Sequence, residues 1–155
     1  MDALSMEALS MEALSMEALS MEALSMEALF KLFEGLPRCG PGSDDATLRA
    51  LRRLPALPKK PIVLDLGCGP GRQTLVLARE LRSKIRAVDI HRPFLQQLEH
   101  SARAEGLDRH VEAQLGDMGS LDVEPGSVDL IWSEGAIYIL GFREGLKNWR
   151  HWLRP

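Results

Sequence analysis

Apolar residues are distributed along the chain in two alternating patterns. Short, almost wholly apolar runs, typical of strands buried on both faces of a sheet, alternate with segments in which apolar residues recur every three or four positions, as in helices that pack on a sheet. The predicted strands cover residues 62–66, 85–90, 110–115 and 128–132, and the predicted helices cover 45–54, 72–81, 93–106 and 141–153. This alternation predicts an α/β domain with a mostly parallel sheet.

The first 29 residues follow a different pattern. The sequence Ser-Met-Glu-Ala-Leu occurs five times from Ser5 to Leu29, and most of its residues favour helices. A period of five turns equivalent positions by about 140° around a helix, so Leu and Met spiral around the axis and make no single apolar face. We interpret the repeat either as an oligomerisation or docking extension or as an expanded repeat without a function of its own, and we favour the second.

A segment rich in proline and glycine lies between the repeat and the first strand. Gly35 is expected to end the first helix, and Ser43 or Asp44 is expected to cap a second helix that ends at Leu54. We therefore divide the chain into a helical repeat extension (1–29), a helix-loop-helix lid or connector (30–60) and an α/β domain (61–155).

Composition excludes several classes of function. The net charge of −3 and the lack of a basic block argue against a nucleic-acid partner. No run of about 18 apolar residues and no cationic leader is present, so we expect neither a membrane span nor a signal peptide. Two cysteines, Cys39 and Cys68, are too few for a disulfide framework or a zinc site, and the four histidines lack ligand spacing. We predict no metal site and expect a reducing, cytoplasmic setting.

The stretch from Ile62 to Gly71 carries the clearest chemical signal. A buried strand with an acid, Asp65, near its end leads into three alternate glycines, Gly67, Gly69 and Gly71, and then into a helix. Glycines let the backbone approach a ligand closely, and the free N–H groups at a helix start favour a nucleotide-like ligand. The spacing differs from the glycine motifs of dinucleotide-binding turns and P-loops, and an acid at this place suits a ligand with a cationic amino group.

A second acid, Asp89, follows in the next predicted strand. In a right-handed β-α-β unit the carboxyl ends of both strands emerge side by side, so this carboxylate is expected near the glycine turn. A carboxylate there can accept hydrogen bonds from both ribose hydroxyls of a nucleoside. The alternative is that Asp89 caps the helix that begins at Pro93.

The motif Val-Leu-Asp-Leu-Gly-Cys-Gly-Pro-Gly, residues 63–71, resembles the first motif of the class I S-adenosylmethionine-dependent methyltransferases. The resemblance covers residues 62–155 and implies a Rossmann-like three-layer α/β/α sandwich with strand order 3-2-1-4, preceded by an N-terminal helix, and S-adenosylmethionine as cofactor. The later strands of that fold are absent from the sequence. We therefore expect either a truncated methyltransferase or a half-domain completed by homo-oligomerisation, through the exposed sheet edge or the N-terminal helix.

The same resemblance implies a set of cofactor-binding residues, although it names no catalytic residue. The methionine portion would contact the acid and the turn, the ribose would contact the second strand end, and the adenine would contact the segment after the third strand. Ser133 borders the methionine portion from the fourth strand. The implied residues are Asp65, Gly67, Cys68, Gly69, Gly71, Asp89, Ile90, Asp117, Met118 and Ser133.

The loop after the fourth strand, Ser133-Glu134-Gly135-Ala136, borders the methyl acceptor in the resembling family. It lacks the Asn/Asp-Pro-Pro-aromatic sequence of enzymes that methylate the amino groups of nucleic-acid bases, which favours a small-molecule acceptor. Glu134 is either a base or acceptor-orienting group or an exposed loop acid, and Tyr138 either lines the acceptor pocket or packs. Arg38 belongs either to a lid over the cofactor or to a plain connector.

The sequence thus supports two hypotheses of different classes. The first is an enzyme that transfers a methyl group from S-adenosylmethionine to a small molecule. The second is a non-catalytic cofactor-binding or assembly protein, because the C-terminal half of the fold is missing from the sequence. A nicotinamide-dependent enzyme fails on the glycine spacing.

Overall fold

The computed structural model describes Met16, Ser20 and residues 24–155. The chain divides after Glu34 into two compact units. In the first, residues 24–33 are helical (α1), which agrees with the helix predicted for the end of the repeat. The remainder of that predicted helix, apart from Met16 and Ser20, lies outside the described residues.

A four-stranded parallel sheet forms the centre of the second unit. Its order is β3-β2-β1-β4, as the resemblance implied. Asp65 is aligned with Ala87 of β2 and Trp132 of β4, so three strands end at the same edge of the sheet, beside the glycine turn. The strands are β1 (Val63–Leu66), β2 (Ile85–Asp89), β3 (Val111–Leu115) and β4 (Leu130–Trp132).

Helices alternate with the strands as the apolar periodicity predicted, except that β4 follows β3 with no helix between them. Ser43 caps α2, since its hydroxyl oxygen accepts a hydrogen bond from the Ala46 N–H at 3.2 Å. None of the helices in the described residues is long and apolar enough to cross a membrane. The helices are α2 (Asp44–Leu51), α3 (Arg72–Leu81), α4 (Arg92–Ala104) and α5 (Phe142–Trp149), with short 3-10 helices at Ile137–Ile139 and Arg150–Trp152.

Both faces of the sheet are covered, which explains why β1 is apolar without alternation. Val63 packs on one face in a cluster with α3 and α4, whereas Leu64 and Leu66 pack on the other face with Trp149 and Trp152. All four residues of β1 are buried. The result is the predicted three-layer α/β/α arrangement.

Several boundaries differ from the predicted ones, and the largest difference is that α5 ends at Trp149 instead of Leu153. Helix α2 ends at Leu51 instead of Leu54, and β4 begins at Leu130 instead of Val128. Val128 instead forms a parallel bridge with Leu153. Its N–H donates to the Trp152 carbonyl at 3.0 Å, and its own carbonyl accepts from the Arg154 N–H at 2.9 Å. The backbone of Val128 therefore bonds to residues near 153 and not to β1. The local apolar pattern does not indicate which of these two partners a residue bonds to.

Candidate functional site

The glycine turn lies tightly between two other parts of the fold. Gly67 and Gly71 have φ values of +68° and +81°. A Cβ atom on Gly67 would overlap the Cβ of Ala136, and one on Gly71 would overlap the side chain of Leu98 in α4. Glycine is therefore required at both positions, for backbone conformation and for space.

Asp65 is buried below this turn. Its Oδ2 accepts hydrogen bonds from the Thr74 hydroxyl at 2.5 Å and the Gln73 amide at 3.3 Å. The Gln73 amide also donates to the Cys68 carbonyl at 2.8 Å, so the first turn of α3 holds both the acid and the glycine turn. The other oxygen, Oδ1, is buried and has no hydrogen-bond partner within the described part of the chain.

The environment of Asp65 favours its neutral form. Burial raises the pKa of Asp65 to about 7, and the charges of Glu134 and Asp89 act in the same direction, whereas the hydrogen bonds from Thr74 and Gln73 oppose the rise. A ligand cation beside Oδ1 would stabilise the ionised form. The site is therefore electrostatically suited to a positively charged group.

Asp89 reaches the turn from the end of β2, as the topology predicted. Its Oδ2 accepts from the Gly69 N–H at 2.8 Å, and its Oδ1 accepts from the N–H of His91, the residue that precedes α4, at 2.9 Å. One carboxylate thus joins the turn to the residue that precedes α4, but it does not cap that helix, because the N-cap residue is His91 and α4 has no side-chain cap. The neighbouring Ile90 is 55% exposed.

Asp117 and Met118 differ in their surroundings. The Asp117 carboxylate is exposed and accepts from the Gly119 N–H at 2.8 Å and the Ser120 hydroxyl at 3.3 Å, so it is engaged in its own loop. Met118 is buried, and its carbonyl accepts from the Trp149 indole N–H at 3.0 Å. Its sulfur lies 3.4 Å from the position that a Cβ on Gly67 would occupy. Met118 is thus beside the turn, whereas the Asp117 side chain is held within its own loop.

Ser133 stands at the junction of the turn and a separate apolar groove. Its hydroxyl donates to the Leu66 carbonyl at 2.9 Å, which places it beside the end of β1. Of the ten predicted site residues, Ser133 alone lines the groove, which has a volume of about 430 Å³. The lining residues are Ile131, Ser133, Ile137, Phe142, Leu146, Trp149, Arg150 and Leu153.

Glu134 is held in place by three neighbours and is not an exposed loop acid. Its side chain is 22% exposed. The Thr47 hydroxyl lies 3.0 and 2.9 Å from its two oxygens, and the Trp132 indole N–H donates to it at 3.3 Å. Arg38 contributes an ion pair at 3.4 Å. Glu134 therefore fastens α2 and the preceding loop to the end of β4. Tyr138, in contrast, is 72% exposed and does not pack.

The loop of residues 35–43 lies directly on the glycine turn. Gln97 of α4 accepts from the Gly35 N–H at 3.2 Å and donates to the Leu36 carbonyl at 2.8 Å. The Cys39 sulfur lies 3.4 Å from where a Cβ on Gly69 would stand. Burial, reinforced by the charge of Asp89, raises the pKa of the Cys39 thiol to about 11. We call residues 35–43 the cover loop.

Sequence reasoning missed several residues that hold the site together. Thr74 and Gln73 occupy the first turn of a helix that follows the glycines, so helix geometry could have indicated that they face Asp65. Thr47 carried no such signal, because it meets Glu134 across 87 positions of sequence.

Comparison with known proteins assigns most of the α/β domain to a family. Residues 63–155 match a family model described as a methyltransferase domain. The chain is 31% identical over 94 residues to "Methyltransferase GfsG" of Streptomyces halstedii, over 60% of this chain and 34% of that protein. The chain thus spans about a third or less of the length of the curated relatives that it matches.

Solved structures share the fold. YjhP from E. coli superposes with a TM-score of 0.70 at 23% identity, over 82% of this chain and 52% of that chain. A geranyl diphosphate methyltransferase in complex with SAM superposes with a TM-score of 0.64 at 21% identity, over 72% of this chain and 45% of that chain. Because the family model covers more than half of the chain, the chain belongs to the methyltransferase domain family, and its fold is that of the class I S-adenosylmethionine-dependent enzymes.

Proposed function

We propose that the chain binds S-adenosylmethionine and transfers its methyl group to a small molecule. The observation that carries the proposal is the convergence of Asp65, Asp89 and the Gly67–Gly71 turn at one edge of the sheet, in a member of the methyltransferase family. Open α/β sheets bind ligands at this edge.

The residues present fit this cofactor. The buried Oδ1 of Asp65 lacks a donor in the described part of the chain, and a ligand ammonium would supply one. Each Asp89 oxygen accepts one backbone N–H and keeps a second lone pair, so the carboxylate can still accept the ribose hydroxyls. The left-handed turn lets a ligand approach the backbone at Gly69 once the Cys39 side chain has moved away.

The remaining predicted contacts belong to the same proposal. Met118 is beside Gly67, which supports a place near the cofactor. Asp117, Ile90 and Ser133 are proposed on the family resemblance, and Ser133 also has its bond to the end of β1 in support. The amide and side chain of Met118 and the Asp117 carboxylate would contact the adenine.

When bound, the cofactor would supply an electrophilic methyl group on its sulfonium sulfur, and the neutral thioether would be the leaving group. The protein then needs to hold the cofactor and the acceptor close and aligned more than it needs acid-base side chains. Glu134 is already bound by Thr47, Trp132 and Arg38, and we assign it a positioning role instead of that of a base.

A small-molecule acceptor is supported by the absence of the Asn/Asp-Pro-Pro-aromatic sequence after β4. The name of the structural neighbour, a geranyl diphosphate methyltransferase, also denotes a small-molecule acceptor. The comparisons offer no support for the non-catalytic alternative. Membership of the methyltransferase family favours the enzyme.

We further propose that residues 30–60 act as a lid or connector. The contact of Cys39 with Gly69 supports a lid. A cytoplasmic setting is supported by the presence of two free thiols, Cys39 and Cys68, and no disulfide between them. Self-association through β4, an edge strand of the sheet, or through the N-terminal helix is a separate proposal, which light scattering of the purified chain tests.

Calorimetric titration tests the proposed function. S-adenosylmethionine and S-adenosylhomocysteine should bind with micromolar affinity, and NAD, the control nucleotide, should give no heat. Failure of both adenosyl ligands to bind a chain that shows a cooperative unfolding transition would overturn the proposal. If they bind, an acceptor screen that detects the demethylated product follows.

A further inference from the structure

The apolar groove beside β4 is part of a larger exposed apolar surface. Phe142 and Leu146 of α5 line the groove, and both side chains are more than half exposed. In the 3-10 helix that precedes α5, Tyr138 and Ile139 are exposed as well. Apolar side chains that cluster on a surface in this way mark a site where another molecule binds.

A row of cations lies beside the groove. Arg143, Lys147 and Arg150 each directly follow an apolar residue that lines the groove, so they form a second stripe along the same helix and its end. We call these three residues the basic stripe. Within the described part of the chain, Arg143 and Arg150 form no ion pair, and the pair of Lys147 with Glu144 is long, at 3.9 Å. The surface therefore favours a partner that is apolar in the middle and acidic at its edge.

The N-terminal repeat has the complementary composition. Each copy of Ser-Met-Glu-Ala-Leu has one acid and three apolar residues, and no Lys or Arg precedes Lys31. Where the structure describes this part of the chain, the side chains of Met16, Leu24 and Leu29 are exposed. The repeat thus offers exposed apolar side chains together with negative charge.

The dimensions of the two partners also agree. Helix α5 has eight residues, so a partner helix can follow it for only about 12 Å, or two turns. On the helix predicted for the repeat, Leu14, Ala18 and Met21 lie within a sector of about 60°, and Glu17 lies at its edge. Although Leu and Met spiral around the whole repeat, each window of eight residues therefore has one short apolar face. Anchors at positions i, i+4 and i+7 are those by which helices bind apolar grooves.

We propose that the groove binds the N-terminal repeat of a second copy of this chain. The Leu, Ala and Met of one window occupy the groove, and the glutamates at the edge of the window face the basic stripe. Two copies that exchange their repeats cover both grooves at once in a closed twofold arrangement. The repeat then has the docking role that we did not favour from the sequence alone. This inference goes beyond the proposed function and does not depend on cofactor binding.

Charge exchange between two variants tests the inference. Sedimentation equilibrium of the wild-type chain should show a dimer. For each variant alone the dimer dissociation constant should be at least about tenfold higher, because like charges then meet. An equimolar mixture of the two variants should restore the dimer, since every repeat then meets a groove of opposite charge. The groove variant carries Arg143→Glu, Lys147→Glu and Arg150→Glu, and the repeat variant carries Glu7→Lys, Glu12→Lys, Glu17→Lys and Glu22→Lys.

A control variant has the same net charge as the groove variant. It carries Arg53→Glu, Lys59→Glu and Lys60→Glu, at exposed positions outside α5, and it should dimerise as the wild-type chain does. A synthetic peptide of residues 4–26 provides a second test on the unmodified chain. In excess it should convert the wild-type dimer to monomer, and a peptide with Lys in place of every Glu should not.

Each other outcome overturns the inference. A wild-type chain that stays monomeric at millimolar concentration does not exchange its repeat. A dimer that persists unchanged in both variants is held by another surface, such as the edge of β4. A mixture of the variants that stays monomeric shows that opposite charges on repeat and groove do not bring two copies together. If a variant lacks a cooperative unfolding transition, the peptide decides the question, because a wild-type dimer that resists the peptide contradicts the docking.

Discussion

The hydroxyl of Thr74 lies 2.5 Å from Oδ2 of Asp65, and this bond joins the first turn of α3 to the last residues of β1. Thr74→Val keeps the shape of the side chain but removes the donor. Because the acceptor is buried, the free energy of unfolding should fall by about 1–3 kcal/mol, and the pKa of Asp65 should rise further. Urea unfolding measures the first effect. Thr74→Ser, which retains the hydroxyl, is the control, and equal stability of the valine variant and wild type would contradict the assigned bond.

Asp65 should make stability depend on pH in an unusual direction. Its pKa is raised to about 7 in the folded chain from 3.8, so between about pH 4 and pH 7 the folded state binds more protons than the unfolded state. The free energy of unfolding should therefore decrease as pH rises through this window. The decrease is on the order of a few kcal/mol, since one pKa unit corresponds to about 1.4 kcal/mol.

Asp65→Asn should flatten this slope, whereas Asp108→Asn, at an exposed acid, should not. Urea unfolding at a series of pH values measures the slopes. The pKa values of Asp44 and Asp129 are lowered, mainly by hydrogen bonds from Arg72 and from the Ile62 N–H. Their stabilisation is present above pH 3.8 and is lost as pH falls below it, so it does not mask the effect of Asp65. An identical slope in Asp65→Asn and wild type would refute this prediction.

Asp89 should be required for cofactor binding. Asp89→Ala removes the proposed acceptor of the ribose hydroxyls and the partner of the Gly69 N–H, so the binding free energy of S-adenosylhomocysteine should weaken by about 1.5–3 kcal/mol. Calorimetry at a temperature well below the unfolding transition measures this loss. Asp108→Ala controls for the change in net charge. Unchanged affinity in Asp89→Ala would leave Asp89 with its structural role alone.

A comparison of Gly71 with Gly126 distinguishes two reasons why a position requires glycine, a positive φ and a lack of space for a Cβ atom. Both have positive φ, +81° and +64°, but a Cβ on Gly71 would overlap Leu98, whereas nothing lies within 4 Å of a Cβ on Gly126. Gly126→Ala should therefore cost only the conformational strain of about 1–2 kcal/mol. Gly71→Ala should cost clearly more, because α4 must also move. Thermal unfolding of the two variants measures the difference, and equal costs would mean that Leu98 adapts freely.

The sheet and the glycine turn could be predicted because their signals are local. The buried run 62–66 and the glycines after it determine a strand and a turn, and the right-handed β-α-β rule then brings Asp89 beside the turn. The limit of β4 could not be predicted, because Val128 bonds to residues near 153 instead of to β1. A window of neighbouring residues contains no information about that choice.

The sequence also does not predict which residues surround Glu134 and the acids that contact Arg38. Glu134 was open to two interpretations because its partner Thr47 is 87 positions away, and only the packing of α2 on the sheet brings them together. The same holds for Arg38, whose two acids come from α2 and from the loop after β4. Charge pairs of this kind depend on tertiary distance, which residue types and spacing do not encode.

The placement of Cys39 on Gly69 makes the thiol a natural reporter of motion in the cover loop. Alkylation requires the thiolate. A pKa of about 11 for the Cys39 thiol keeps the thiolate scarce near neutral pH while the cover loop contacts the glycine turn. The second thiol, Cys68, is buried and does not compete. A ligand that moves the cover loop away from the glycine turn should expose Cys39 to solvent, and the thiol should then react at the rate of an ordinary solvated thiol. The rate of maleimide labelling on the unmodified chain therefore follows opening and closing, with no dye or engineered cysteine required.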